Sequence, residues 1–283
     1  MKQWSSQMSF SFNEITANEA NKTLVVDALN LAFRWKHQGR TDFRHEYIAT
    51  VESLAKSYKC EKIIITADQG SSSYRKNILP SYKQNRKDKY AEQTEEEADA
   101  FKKFFDEYEN TLSLLEDEYI VLRAQGVEAD DLAAYVVKER SNYGIGDVVL
   151  ISSDRDWDLL IQEGVMRFSY VTRKEVTVEN WHDHYDVSRD QYACYKCLVG
   201  DKGDNVPGIS GIGPKRAKTL LDDYGSAYNI YDSVPIPGAY KYIQELNANA
   251  ETLLMNYELM DLITYCEEAI GAQNVQEINR RMQ

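Results

Sequence analysis

Over the first two thirds of the chain, short β-branched apolar runs alternate with stretches whose apolar residues recur every three or four positions. Leu24 to Val26 and Lys62 to Ala67 read as strands, and each stops at an aspartate, Asp27 and Asp68. Between them Tyr47, Ile48, Val51, Leu54, Ala55 and Tyr58 share one helical face, which makes a β-α-β unit. Tyr119 to Leu122 is a third strand, followed by Glu128-Ala-Asp130-Asp131 at the head of an apolar helix, Leu132 to Val137. Val148 to Ile151 is a fourth, followed by Ser152-Ser-Asp154-Arg-Asp156. Val165 to Phe168 and Glu175 to Val178 add shorter strands, a hairpin around Arg173.

This alternation predicts an α/β fold, a mostly parallel sheet with helices on both faces. Crossovers of one hand put the carboxyl ends of parallel strands on one edge, where ligands bind. The chain divides into a tail at 1–22, a core at 23–181 and a helical region at 182–283, the last marked by turn signals at 200–213 and 235–238.

Five acidic groups fall where apolar runs stop: Asp27; Asp68; Glu128 with Asp130 and Asp131; Asp154 with Asp156; Asp201 with Asp204. A single acid at a strand end is usually a solvated loop residue. Several on one edge repel, and divalent cations with oxygen ligands are the usual means of neutralising them. Asp130 and Asp131 also sit at a helix N-terminus, whose dipole lowers the cost of gathering negative charge.

The 283 residues, 43% hydrophobic, suffice for one large or two unequal cores. No stretch approaches the ~20 apolar residues of a membrane span, and residues 1–22 lack the apolar centre of a signal peptide. The expectation is a cytoplasmic protein with no membrane partner. Four cysteines give no disulfide framework. Cys194-x-x-Cys197, with His182 and His184 upstream, lacks a second ligand pair and reads as helix packing rather than zinc.

A net charge of −13 argues against a nucleic-acid partner at first sight. Its distribution argues otherwise: Tyr74 to Tyr90 holds Arg75, Lys76, Lys83, Arg86, Lys87 and Lys89 against one acid, Asp88. The block that follows, Glu92, Glu95, Glu96, Glu97 and Asp99, suits a solvated helix face or a first turn.

Gly208-Ile-Ser-Gly211-Ile-Gly213-Pro-Lys215-Arg216-Ala217 is the most specific short motif. Glycines admit a phosphate to the backbone, a helix opens with free N–H groups, and Lys215 and Arg216 add charge. The same residues could make a plain helix-helix turn punctuated by Gly and Pro, but the run of bases without an acid favours a hairpin that grips a nucleic-acid backbone and reads no bases. No G-x-x-x-x-G-K-[ST] makes it a P-loop. Asp27 is followed by Ala-Leu-Asn, without the second aspartate of a haloacid-dehalogenase-type phosphatase.

With V-V-D-A-L-N at 25–30, G-V-E-A-D-D at 126–131, S-S-D-R-D-W-D at 152–158, G-D-K-G-D-N at 200–205 and the G-I-x-G-I-G hairpin, the chain resembles the flap endonuclease / 5′-to-3′ exonuclease family. It looks closest to phage-encoded members and is similar to the 5′-nuclease domain of bacterial DNA polymerase I, over Thr23 to about Tyr265.

The resemblance implies a PIN-like core with a helical arch at about 80–109 and a helix-three-turn-helix at 208–217. It implies two Mg²⁺, replaceable by Mn²⁺, one among Asp27, Asp68, Glu128, Asp130 and Asp131 and one among Asp154, Asp156, Asp201 and Asp204. It casts Lys83 and Arg86 as catalytic, and Tyr82, Lys83, Arg86, Lys196, Gly208, Gly211, Gly213, Lys215 and Arg216 as DNA-binding, Tyr82 by stacking on a base. A monovalent cation at the hairpin, a monomeric state and a branched or 5′-flap DNA substrate with a single-stranded 5′ end follow in the same way. One departure is Gln69-Gly70 after Asp68, where relatives often carry a lysine. A PIN-type ribonuclease would need neither the hairpin nor so many acids; a non-catalytic branched-DNA-binding protein would have lost some of them.

Overall fold

The computed structural model describes residues 21–283; the tail expected at 1–22 lies almost entirely outside them. Strands β1 (Thr23–Asp27), β2 (Lys62–Thr66), β3 (Ile120–Leu122), β4 (Val148–Ile151), β5 (Val165–Phe168) and β6 (Glu175–Val176) form one sheet in the order β3-β2-β1-β4-β5-β6. All neighbours are parallel except β5 and β6. The order reverses beside β1, so Asp27, at the end of β1, stands at the switch point where open sheets bind ligands.

Both faces are covered, because both sets of alternating side chains are apolar. Leu24 and Val26 face one core with Leu31, Trp35, Phe43 and Tyr47 from helices α1 (Ala28–Lys36) and α2 (Arg44–Tyr58) and the segment between them. Val25, Ile64 and Leu150 face the other, with Leu132 and Val136.

The basic segment forms α3 (Ser73–Ile78) and α4 (Gln84–Ala91), and α5 (Glu95–Glu116) follows. Thr94 and Glu97 close a capping box, which places the acidic block in the first turn of α5. Within the span 80–109 expected as an arch, Phe104 and Tyr108 lie in the core. Lys36 Nζ, 4.2 Å from the Phe101 ring, tethers α5 to the end of α1.

Helices α6 (Ala129–Glu139) and α7 (Tyr192–Val199) precede a two-stranded ribbon, β7 (Gly200–Asp201) with β8 (Val206–Pro207). Helix α8 (Pro214–Tyr224) follows the glycine motif. Ile209 and Ile212 are buried with Ala217, Leu220 and Leu221 in a separate core, each contributing about 1.5–3 kcal/mol by burial. Packing does not follow the boundary expected at residue 182. Leu262, Cys266 and Ile270 of α12 (Leu262–Ile270) return to the sheet's second face against α6. Among the described residues no helix is long and apolar enough to cross a membrane.

Candidate active site

The strand ends deliver the acids to one ledge. Asp27 ends β1 and caps α1, accepting from Asn30 N at 3.1 Å and from Ser152 Oγ at 2.7 Å. Burial, then the neighbouring Asp68 charge, pushes its pKa up to about 8. Asp68 accepts from Ala129 N at 2.9 Å, and burial raises its pKa as well. Asp130 accepts from Trp157 Nε1 at 2.7 Å; burial first, then Asp154, pushes it well above the carboxylate range. Among the described residues none of these three carboxylates has a cationic side chain in salt-bridge contact.

The remaining acids, Asp154 apart, are held by cations. Lys83 Nζ stands 2.9 Å from Glu128 Oε1 and 3.6 Å from Asp204 Oδ2. Burial opposes ionisation of Glu128, but Lys83 and Arg75 outweigh it and lower the pKa. Arg86 reaches Asp204 Oδ1 at 2.5 Å. Lys196 bonds Asp156 closely and Asp201 at 3.3 Å. Asp201 also accepts from the N–H groups of Gly203 and Asp204, at 2.7 and 3.2 Å, and Lys196 draws its pKa down against the effect of burial. For Asp156 burial wins over Lys196, and the pKa rises to about 6. Asp154 caps the 3-10 turn Arg155–Leu160, accepting from Asp156 N at 3.0 Å.

These donors fit divalent magnesium or manganese in kind, being hard carboxylate oxygens in partly dehydrated surroundings. A cavity of about 20 Å³, lined by Asp130, Asp156, Asp201 and Asp204 beside Lys196, has room for one water-sized occupant. Among the described residues, no three His, Cys, Asp or Glu side chains stand in ready metal-holding geometry. Lys83 bridges Glu128 and Asp204, and Lys196 bridges Asp156 and Asp201.

Four of the expected site residues stand close against other parts of the protein. Asp131 is fully buried, and both its oxygens accept from Arg75, at 2.8 and 2.7 Å, so in this structure it anchors an arginine. Tyr82 is 4% exposed, with its hydroxyl 3.0 Å from both Glu128 Oε2 and Asp204 Oδ2, so its ring is covered in this structure. Lys196 is buried between two acids, and Lys83 stands between two others. Gly208 is required by a chain crossing: a Cβ there would stand 2.1 Å from Val199 O.

The glycines further along the hairpin are less confined. Gly211 adopts φ +77°, and a Cβ on Gly213 would meet nothing within 4 Å. Lys215 is exposed, and Arg216 donates to Gly211 O while its guanidinium lies 4.4 Å from the Tyr242 ring.

Sequence reasoning missed a supporting layer. Arg75 donates from Nε to Leu259 O at 2.9 Å, tying the ledge to α11 (Glu251–Met260). Asp158, the last acid of S-S-D-R-D-W-D, is fully buried against Arg167 at 2.5 and 2.8 Å, and Arg167 holds Ser152 O at 2.9 Å. The only signal in the chain was a charged residue inside an otherwise apolar strand, Arg167 in β5.

Comparison with known proteins agrees with this arrangement. The 5′-3′ exonuclease N-terminal resolvase-like domain matches residues 22–186, and the 5′-3′ exonuclease C-terminal SAM fold matches 187–281. The flap endonuclease of Escherichia phage T5 is 42% identical over 251 residues, covering 88% of this chain and 86% of its own length. A DNA polymerase I from Caldicellulosiruptor bescii is 38% identical over 120 residues, 40% of this chain and 14% of that protein. The crystal structure of the T5 D15 protein co-crystallized with metal ions superposes with a TM-score of 0.88 at 39% identity, covering 92% of this chain and 98% of that one. The chain belongs to the 5′-3′ exonuclease family and is a metal-dependent 5′-nuclease of the flap endonuclease type.

Proposed function

We propose that the protein cleaves branched DNA with a single-stranded 5′ end, using two Mg²⁺ ions, which Mn²⁺ can replace. The observation that carries this reading is the ledge itself: Asp27, Asp68 and Asp130 are buried without a cationic partner at the strand ends, opposite acids held by Lys83, Arg86 and Lys196. Asp27, Asp68, Glu128 and Asp130 would hold one ion; Asp154, Asp156, Asp201 and Asp204 would hold the other. Such a pair would supply an activated water and positive charge for the leaving 3′-oxygen.

The chain's own residues do the rest. With Glu128 and Asp204 holding metal, Lys83 and Arg86 would be free to meet the scissile phosphate, where a fixed cation in a partly dry site is worth several kcal/mol. Lys196 keeps Asp156 and Asp201 apart and oriented. Gly211, Gly213, Lys215 and Arg216 would take the duplex backbone, with a monovalent cation at the hairpin. Helix α4 and the first turns of α5 are the arch that receives the single strand. Products carry 5′-phosphate and 3′-hydroxyl, and the protein acts as a cytoplasmic monomer, in the host if phage-encoded.

A 5′-flap duplex incubated with Mg²⁺ should be cut near the branch, and a chelator should abolish cutting while leaving binding. Binding without cutting at any Mg²⁺ concentration overturns the reading.

A further inference from the structure

A second cavity, of about 280 Å³, lies between the turn that carries Asp154 and Asp156 and the first turns of α8. That is near the lower end of small-ligand sites, about 300–1,000 Å³, enough for a sugar-phosphate unit but not a duplex. Arg155 borders it from the core; Pro214, Lys215 and Lys218 border it from the hairpin helix; Tyr185 and Tyr195 form its wall. Its one acid is Asp186, which is exposed. In a chain of net charge −13 this is a local excess of cations.

The cations are differently placed. Lys218 is held by Asp222 at 2.6 Å. Among the described residues Arg155 and Lys215 form no ion pair, although Arg155 sits between two aspartates in sequence. Asp156 turns instead to Lys196, and Asp154 to the backbone of Asp156. The Arg155 guanidinium lies 5.4 Å from the Tyr185 ring, so its charge is held over the wall.

The wall is rigid and continuous with the ledge. Tyr185 packs 4.5 Å from both Trp181 and Tyr192, and Tyr192 stacks on Tyr195 at 6.2 Å. The Tyr185 hydroxyl donates to Asp158, whose partner Arg167 holds Ser152, and Ser152 donates to Asp27.

We propose that this pocket binds one backbone phosphate of the DNA between hairpin and cleavage site, with Arg155 and Lys215 as its shared cations and the sugar against Tyr185 and Tyr195. The subsite deepens, and rests on, the nuclease reading above. Arg155 is a substrate-positioning residue: fixed between Asp154 and Asp156, it sets the register of the strand against the candidate metal site.

The test is binding of a 5′-flap duplex in chelator over a series of KCl concentrations, so that no cutting intervenes. Arg155 is exposed, so Arg155→Ala should leave thermal stability unchanged. It should weaken affinity about tenfold and lower the slope of log K against log salt by about 1, as loss of one phosphate contact requires. Arg155→Lys should keep the slope. Because one phosphate is shared, Arg155→Ala with Lys215→Ala should lose less than the product of the two single losses. An unchanged slope in Arg155→Ala, or losses that simply multiply, overturns the subsite. The two readings fail separately: a wild type that binds but never cuts with Mg²⁺ overturns the nuclease reading alone, and a wild type that cuts while Arg155→Ala binds like it overturns the pocket alone.

Discussion

Lys83 Nζ lies 2.9 Å from Glu128 and 3.6 Å from Asp204, so one ammonium joins an acid from the sheet ledge to an acid from the ribbon that leads into the hairpin. Both belong to different metal sets in the proposed site. Lys83 itself is held in place by a left-handed backbone, φ 55°, and by its N–H donating to Asp204 O at 2.9 Å. Burial lowers its pKa, but Glu128 and Asp204 more than restore it, and it stays charged.

Replacing Lys83 with Ala should therefore slow cleavage by about 10²–10³ while weakening flap binding far less, as expected of a cation that acts on charge developing in the transition state. Single-turnover rates and binding in chelator, measured side by side, decide it. Equal losses in both would assign Lys83 to substrate positioning.

Asp131→Asn should behave as a stability variant. It leaves the Arg75 guanidinium buried with one weakened partner, and breaking a buried pair from one side costs about 3–5 kcal/mol. Urea unfolding should show the loss, with metal affinity of the folded protein little changed. A stable variant with weakened metal binding would restore Asp131 to the ligand set.

Two glycines of one motif should respond in opposite ways. Gly208→Ala drives a Cβ into Val199 O and should destabilise by about 1–3 kcal/mol. Gly213→Ala has open space and an ordinary φ of −104°, so it should keep the fold and weaken duplex binding by blocking close approach. Thermal unfolding together with DNA titration separates the two.

Glu107 couples α5 to the start of α2, accepting from Phe43 N and Arg44 N at 3.1 Å each and from the Arg44 guanidinium. Burial opposes its ionisation, but these hydrogen bonds hold its pKa below the ordinary value. A depressed folded pKa contributes stability above the unfolded value, about 4.3, that is lost as pH falls through the folded value. The stability gap between wild type and Glu107→Gln should thus be widest near neutrality and close below about pH 4. A gap independent of pH would show that the charge plays no part.

The strands were legible because their apolar runs are short, β-branched and cut off by acids; so was the gathering of those acids, since parallel strands share a carboxyl edge. What each acid touches was not legible. Asp130 and Asp131 are adjacent in sequence, yet one faces the Trp157 indole N–H and the other Arg75, because successive helical positions point about 100° apart. Tyr82 reads as an available ring until its hydroxyl is seen between two carboxylates. Arg75 lies 53 residues before Glu128, a pairing that no local pattern encodes.

The central claim, two ions held by two groups of carboxylates, is tested most directly by single-turnover cleavage of a 5′-flap duplex against free Mg²⁺ at saturating protein. The rate should vanish in chelator and rise as the second power of Mg²⁺ at low concentration before it saturates. A first-power rise throughout, or cleavage that survives the chelator, would contradict it.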